Sequence, residues 1–411
     1  MHDLIIKNAA QVVTCSGFEG KRGREMNDLR VIENGTVIVT DGIISHVLKQ
    51  GEPLPVNLND YNVIDATGKA LLPGFVDPHT HFVFGGYREE EFSWRMRGDS
   101  YMAIMERGGG IISTTRATRK ATEEELVDTG RQRLDAMLRL GITTLEGKSG
   151  YGLDRETELK QLRVMQRLND IHPMDVVSTY MGAHAVPQEW KGREDAFIDF
   201  QIEAMLPLVA KERLAEAADI FCEKGVFSIN QSRRYLLAAA SLGLKPKMHA
   251  DEIVSLGGAE LAAELHCLSA DHLLQASDEG IAALAATGTV ATLLPLTAFS
   301  LRESYARART MIDSGCIVAL ATDLNPGSSF TASVPLLFAL ACIYMQLTPE
   351  EAVTAFTLNS AAALGRADRI GSIDVGKQGD LLLLQFPSYK FLPYHVGMNI
   401  VERVIKKGEV V

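Results

Sequence analysis

Cysteine is scarce in this sequence. Its 411 residues include five, Cys15, Cys222, Cys267, Cys316 and Cys342, an odd and scattered set without a C-x-x-C pair. That argues against a disulfide framework or a thiolate zinc site and fits a reducing cytoplasm. Long hydrophobic runs are missing too. No stretch reaches about 18 apolar residues, and Met1-His2-Asp3-Leu4-Ile5 lacks both a basic leader and a long apolar core. Neither a membrane span nor a signal peptide is expected. Positive charge is in deficit, with 41 Lys and Arg against 52 Asp and Glu and a net charge of −11. No basic run offsets this, so a nucleic-acid surface is not expected. The sign says little about a small ligand, because local charge can oppose net charge. No G-x-G-x-x-G is present to support a doubly wound dinucleotide fold. Gly141 to Ser149 imitates a phosphate-binding loop, but its two glycines are separated by five residues instead of four and the interval is β-branched. A strand followed by a turn is the better reading. Gly108-Gly109-Gly110 reads as a flexible loop.

What is present fits a soluble globular enzyme: 46% hydrophobic and 23% charged residues, with length for a large core and two or three domains. Residues 1–70 read as short strands and turns. Leu4–Ile6, Val12-Val13, Gly35–Val39 and Ile43–Val47 are β-rich, and Asn34-Gly35 and Asp41-Gly42 are turn signals. The second fits a two-residue hairpin. The far end is similar, with Leu381–Leu384, Val401–Ile405 and Lys407-Gly408-Glu409. Residues 1–72 with 371–411 are therefore expected to form one composite β domain, and 73–370 a different one.

The middle alternates apolar runs with helical patterns. Thr122–Glu125 is a capping box for a helix to about Leu140, stopped by Gly141. Thr348-Pro349-Glu350-Glu351 opens another. Candidate strands are Gly74–Pro78, Ile142–Glu146, Val176–Met181, Ile220–Cys222, Pro246–His249, Ser269–His272, Val290–Leu294 and Ile317–Thr322. Eight strands alternating with helices predict an α/β fold, a (β/α)8 barrel with its site at the strand C-terminal ends.

The chain turns on Leu71 to His81, a buried strand ending in two histidines. Residues i and i+2 share a face, so His79 and His81 project together with Thr80 turned away. Such a pair suits a metal. Later strands end in Lys148-Ser149-Gly150-Tyr151-Gly152, in His184, in His249 with Glu252, in His272, and in Asp323 followed by Asn325-Pro326-Gly327-Ser328. Any one would pass as a structural polar residue. Their shared position at one end of successive strands points to a site.

Pro73 to His81, His249, His272 and Asp323 resemble the amidohydrolase superfamily. Ile64–Lys69, Thr357–Ala362 and Gly371–Lys377 extend the resemblance over almost the whole chain. It implies a metal-dependent hydrolase barrel with a small β-sandwich built from both termini. Phe84–Arg88, Lys148–Gly152, Met181–His184, His249–Glu252 and Thr322–Ser328 resemble more narrowly the branch that opens the ring of 4-imidazolone-5-propanoate in histidine degradation. The resemblance implies that His79, His81, His249 and Asp323 bind one divalent or trivalent metal per chain. Three imidazoles and a carboxylate suit Zn or Fe, and sequence does not choose between them. Two-metal relatives use a carboxylated lysine after strand four. Here Lys224 lies beyond the apolar run, and Lys148 belongs to strand two, so neither is a good candidate.

The chemistry implied is hydrolysis of the ring amide to N-formimino-glutamate, with a metal lowering the pKa of its water to about 7. Glu252 is expected to shuttle the proton, His272 to stabilise the oxyanion and Asp323 to assist as base. Arg88 offers a planar fork for the propionate. Tyr101, Tyr151, His184 and the loop of Asn325, Gly327 and Ser328 are expected to contact ring and carboxylate. His46, His172, His266 and His395 read as surface or core residues. A small-molecule substrate and a homodimer are expected, with neither nucleic acid nor membrane as partner. Two other readings remain: a deaminase of a cyclic amidine such as a nucleobase, and a binding protein on a decayed barrel. The second should have lost metal ligands, and none of the four is missing.

Overall fold

The computed structural model describes residues 3–99 and 107–411, so Tyr101 lies outside the described residues. The chain opens with β1 (Leu4–Val13), β2 (Val31–Thr40), β3 (Ile43–Leu48), β4 (Asn62–Asp65) and β5 (Ala70–Pro73). β2 and β3 form the hairpin expected at Asp41-Gly42, where both residues have positive φ, 52° and 79°. That is the two-residue turn whose twist matches paired strands. Asn34-Gly35 behaves differently from the turn expected there. It lies inside β2, with Gly35 paired to Ala9, and Asn34 (φ 51°) sits near Asn8 of β1 (φ 59°) where the register slips. The left-handed propensity of these residues is absorbed by a bulge rather than a reversal.

Eight parallel strands follow: β6 (Phe75–Asp77), β7 (Ile142–Lys148), β8 (Asp175–Ala183), β9 (Ala217–Cys222), β10 (Lys245–Ala250), β11 (Ser269–His272), β12 (Val290–Leu293) and β13 (Val318–Leu320). They hydrogen-bond in sequence order, and helices of the chain alternate with them as expected for a (β/α)8 barrel. A side chain closes the seam between β13 and β6. Asp77 accepts from the Thr322 backbone N–H at 3.0 Å and from its hydroxyl at 2.5 Å. A bridge between Thr80 and Leu324 completes the join. Burial pushes the Asp77 carboxyl up to about 7, against the pull of the two Thr322 bonds.

The capping boxes hold. Thr122 accepts from Glu125 N–H at the start of the helix Glu123–Arg139, and Thr348 from Glu351 N–H before Pro349–Ala355. The first helix buries Leu126, Leu134 and Met137 against Ile142, Leu145 and Leu168. Spacing of three and four residues puts such side chains on one stripe facing the strands.

The tail returns as β14 (Leu381–Leu384), β15 (Val401–Lys406) and β16 (Glu409–Val410). β14 pairs antiparallel with β5, and the strands from both ends make one eight-stranded mixed sheet. β5 runs straight into β6 through Gly74. A β-carbon there would collide with Thr143 of β7, so only glycine lets the two sheets meet at this point. Lys406 and Lys407 also reach across to Asp175, each at 2.7–2.8 Å.

Candidate active site

The barrel strands deliver their polar residues to one mouth. His79 and His81 follow β6, with Thr80 turned away onto the Glu146 carbonyl at 2.6 Å. His249 comes from β10, His272 ends β11 and Asp323 follows β13. None of the five is more than 3% exposed. The rings of His79 and His249 lie 4.5 Å apart, and His272 is 5.1 Å from His249 and 5.4 Å from His79. Asp323 Oδ1 is 3.6 Å from His79 Nε2. His272 (φ 75°) and Asp323 (φ 51°) both hold the left-handed conformation, which is costly for ordinary side chains and concentrates at functional sites.

Three of these rings spend Nδ1 on the protein. His79 Nδ1 is 2.7 Å from Asp271, His249 Nδ1 is 3.2 Å from Asp219, and His81 Nδ1 is 3.3 Å from the Ser149 carbonyl. Nε2 is thereby left to face the site. Among the described residues, His79 Nε2 is buried without a hydrogen-bond partner. A carboxylate or carbonyl behind each imidazole, with the other nitrogen unused, is the arrangement of metal-ligating histidines. Ligand atoms of His79, His81 and Asp323 lie within 4.8 Å of one another, as do those of His79, His249 and His272. Burial drives His79, His81 and His249 well below the usual histidine range, and neighbouring positive groups add to it. They are neutral, as a metal requires. The donor set therefore fits a divalent metal.

A cavity of about 750 Å³ opens over this cluster. Glu252 lines it, with Oε1 3.5 Å from His272 Nδ1, an ion-pair distance but not a hydrogen bond. Burial raises the Glu252 carboxyl to about 8, and the charges of Asp323, Glu223 and Glu303 raise it further in the same sense. Burial likewise lifts Asp323 to about 7, opposed by the Thr297 hydroxyl at 2.6 Å. His184 stacks on His81 at 5.0 Å, and Tyr151 packs against both. On the other wall Arg88 binds Glu91 through Nε at 2.8 Å, leaving its terminal nitrogens beside Gly327. Asn325 uses its amide on its own loop. It donates to the Asp323 carbonyl and Ser328 hydroxyl and accepts from the Gly327 and Ser328 N–H groups, all at 2.8 Å. It shapes the wall that Gly327 and Ser328 present. Lys224 is exposed on the turn after β9, away from the cluster.

An amidohydrolase family model matches residues 62–109 and 95–411. An imidazolonepropionase of Parabacteroides distasonis is 63% identical, over 99% of this chain and 98% of that protein. One of Clostridium tetani is 62% identical, over 100% and 98%. The chain belongs to the imidazolonepropionase family. Solved structures share the fold at low identity. An adenosine deaminase from Xanthomonas campestris with bound zinc has a TM-score of 0.69 at 19% identity, covering 100% of this chain and 92% of that one. An atrazine chlorohydrolase from Arthrobacter aurescens, complexed with zinc, has 0.73 at 17%, covering 99% and 94%.

In this member of the imidazolonepropionase family the site rests on further residues; Lys148 ends strand two as expected, whereas Glu146, Asp219, Lys247, Asp271, Glu158 and Arg95 carried no expected role. Glu146, Lys148, Asp219, Lys247 and Asp271 form a buried charged layer beneath the imidazoles. Glu158 accepts from the Gly150, Gly152 and Leu153 N–H groups and so folds the loop that carries Tyr151. Arg95 donates to the Gly327 carbonyl at 3.0 Å and adds a second cation to the Arg88 wall. A signal existed for the charged layer: Glu146 and Lys148, like Lys247 and His249, are two apart on strands and share the inward face.

Among the described residues, no helix is long and apolar enough to cross a membrane.

Proposed function

We propose that this chain hydrolyses 4-imidazolone-5-propanoate to N-formimino-L-glutamate. The observation that carries the reading is the placement of Arg88 in the same cavity as the imidazole cluster. A five-membered cyclic amide with a carboxylate tail needs a cation at one end and the hydrolytic groups at the other. His79, His81, His249 and Asp323 would hold one Zn or Fe ion per chain. When bound, that metal would supply an activated water near neutral pH and polarise the amide carbonyl.

The chain's own residues do the rest. Arg88 pairs the propionate through its free N–H groups while Glu91 holds the guanidinium plane. Tyr151 and His184 bound the ring and exclude water. Glu252 takes the proton of the attacking water and passes it to the ring nitrogen as the C–N bond breaks. Glu252 must be ionised to take that proton, and its burial beside Asp323 favours holding the proton once taken. His272 sits beside Glu252 and stabilises the charge that develops on the carbonyl oxygen. Water adds across the amide, so the product carries a new carboxylate and an opened formimino group. The reading includes a homodimer working in the cytoplasm.

The deaminase reading is not favoured, since a neutral base has no use for the Arg88 wall. The test is ultraviolet loss of imidazolone propionate in step with formimino-glutamate and without release of ammonia. Ammonia from a nucleobase, with the imidazolone untouched, would overturn the reading.

A further inference from the structure

Beneath the imidazoles, five charged side chains meet inside the barrel, each 1% exposed or less: Glu146, Lys148, Asp219, Lys247 and Asp271. Lys148 is their hub. Its Nζ lies 2.6 Å from Asp219 Oδ2, 3.0 Å from Glu146 Oε2 and 3.2 Å from Asp271 Oδ2. Two of those carboxylates are the ones behind the rings, Asp271 on His79 and Asp219 on His249. The remaining positions are filled as well. Ser269 donates to Asp271 Oδ1 at 2.6 Å, Asp219 Oδ1 accepts the His249 backbone N–H, and Glu146 takes Thr179 and Lys247.

We propose that Lys148 is a positioning residue for the metal centre, fixing His79 and His249 together through Asp271 and Asp219. The geometry leaves little else for its ammonium to do. It is remote from solvent and, among the described residues, makes its ion pairs only with these carboxylates. Lys247 pairs with Glu146, but among the described residues Lys148 is the lysine within ion-pair distance of Asp219 and Asp271, which would repel one another without it, and burial without a partner is expensive. With Lys148 removed, Asp219 and Asp271 must separate, and the ring planes they hold turn with them. Metal affinity depends on such outer contacts, typically by 10–100-fold. One lysine thereby couples two ligands from strands that are far apart in sequence. The inference rests on the metal-centre reading of the cluster.

The test is Co²⁺ binding to the metal-free protein, followed by the visible spectrum and by competition with a chelator. Wild type is expected to bind one Co²⁺, and failure to bind would overturn the metal-centre reading itself. Lys148→Met should weaken Co²⁺ binding about 10–100-fold and alter the spectrum. Lys377→Met removes a buried lysine in the turn before β14, whose Nζ meets the Gly17 and Ala367 carbonyls, and should leave Co²⁺ affinity unchanged. The discriminating measurement is the cycle with Asp271→Asn. If Lys148 acts through Asp271 and Asp219, the double variant should bind far more tightly than the product of the single losses predicts. Independent losses, or a Lys148→Met protein that binds Co²⁺ like wild type, would overturn the proposal. Should Lys148→Met not fold, Lys148→Arg carries the same cycle and the same two outcomes, because the longer side chain must displace the carboxylates.

Discussion

The guanidinium of Arg88 lies so close over Gly327 that a β-carbon there would overlap it. Glu91 holds the other side of that guanidinium, so moving it to clear a methyl group would strain that ion pair. Gly327→Ala should therefore misplace the carboxylate clamp and raise KM for imidazolone propionate about 10-fold. Arg88→Ala should lower kcat/KM by at least ~10-fold, since a charge-assisted bond is worth roughly 1.5–3 kcal/mol. Metal content should not change in either. The informative control is a substrate with a neutral amide in place of the carboxylate. Equal preference for acid over amide in wild type and Arg88→Ala would show that Arg88 does not hold the tail.

Glu252→Gln is expected to keep its metal and lose about 10²–10⁴-fold in kcat. The amide preserves shape while losing the proton. Metal analysis and turnover on the same sample decide the point. Loss of metal would make Glu252 a ligand, and near-normal turnover would remove it from the mechanism.

Purified protein should carry about one metal ion per chain. Chelation should abolish turnover and lower Tm, because a ligand bound only to the folded state stabilises it. Both should return on adding Zn²⁺ or Fe²⁺. A stoichiometry near two would contradict the single-metal reading, and Lys148 would then be the first residue to re-examine.

Asp175 ties the barrel to the terminal sheet. Burial alone would raise its pKa, but Lys406, Lys407 and Gln378 outweigh burial and hold it at about 2, against an ordinary value of 3.8. A carboxylate held low in the folded state stabilises it above its unfolded pKa, and that stability fades as pH falls through the folded value. Asp175→Asn should thus cost about 1–2 kcal/mol at neutral pH, allowing for the partial exposure of the pair. The difference from wild type should be constant above about pH 5, fall steeply below pH 4 and be largely lost by pH 2. Thermal unfolding of both proteins across that range would check it. A difference that persists unchanged at pH 2 would mean that ionisation of Asp175 is not the cause.

The parts of the site legible in the sequence were those written locally. His79 and His81 share a face by strand period alone, and His249, His272 and Asp323 each end an apolar run. The charged layer was not legible in the same way. Lys148 sits in a glycine-bearing segment that reads as a turn, and its partners Asp219 and Asp271 come from strands 71 and 123 residues further on. Which carboxylates meet a buried lysine is decided by strand order around the barrel. The Arg88–Gly327 approach is equally non-local. Asn34-Gly35 shows the opposite error. A strong local turn signal was overridden by β1, whose own left-handed Asn8 lets the pair form a bulge.

The pairing of β5 with β14 carries a consequence for synthesis on the ribosome. β5 leads directly into β6, the strand that precedes His79 and His81, and Leu71, Leu72 and Pro73 are matched with Leu383, Leu382 and Leu381. A chain that emerges from its N-terminus must hold that leucine-rich edge open until residues 381–384 have left the exit tunnel. β5 is thus among the first strands made and, on its β14 side, among the last to be paired. Chaperone capture of nascent chains should concentrate on this interval.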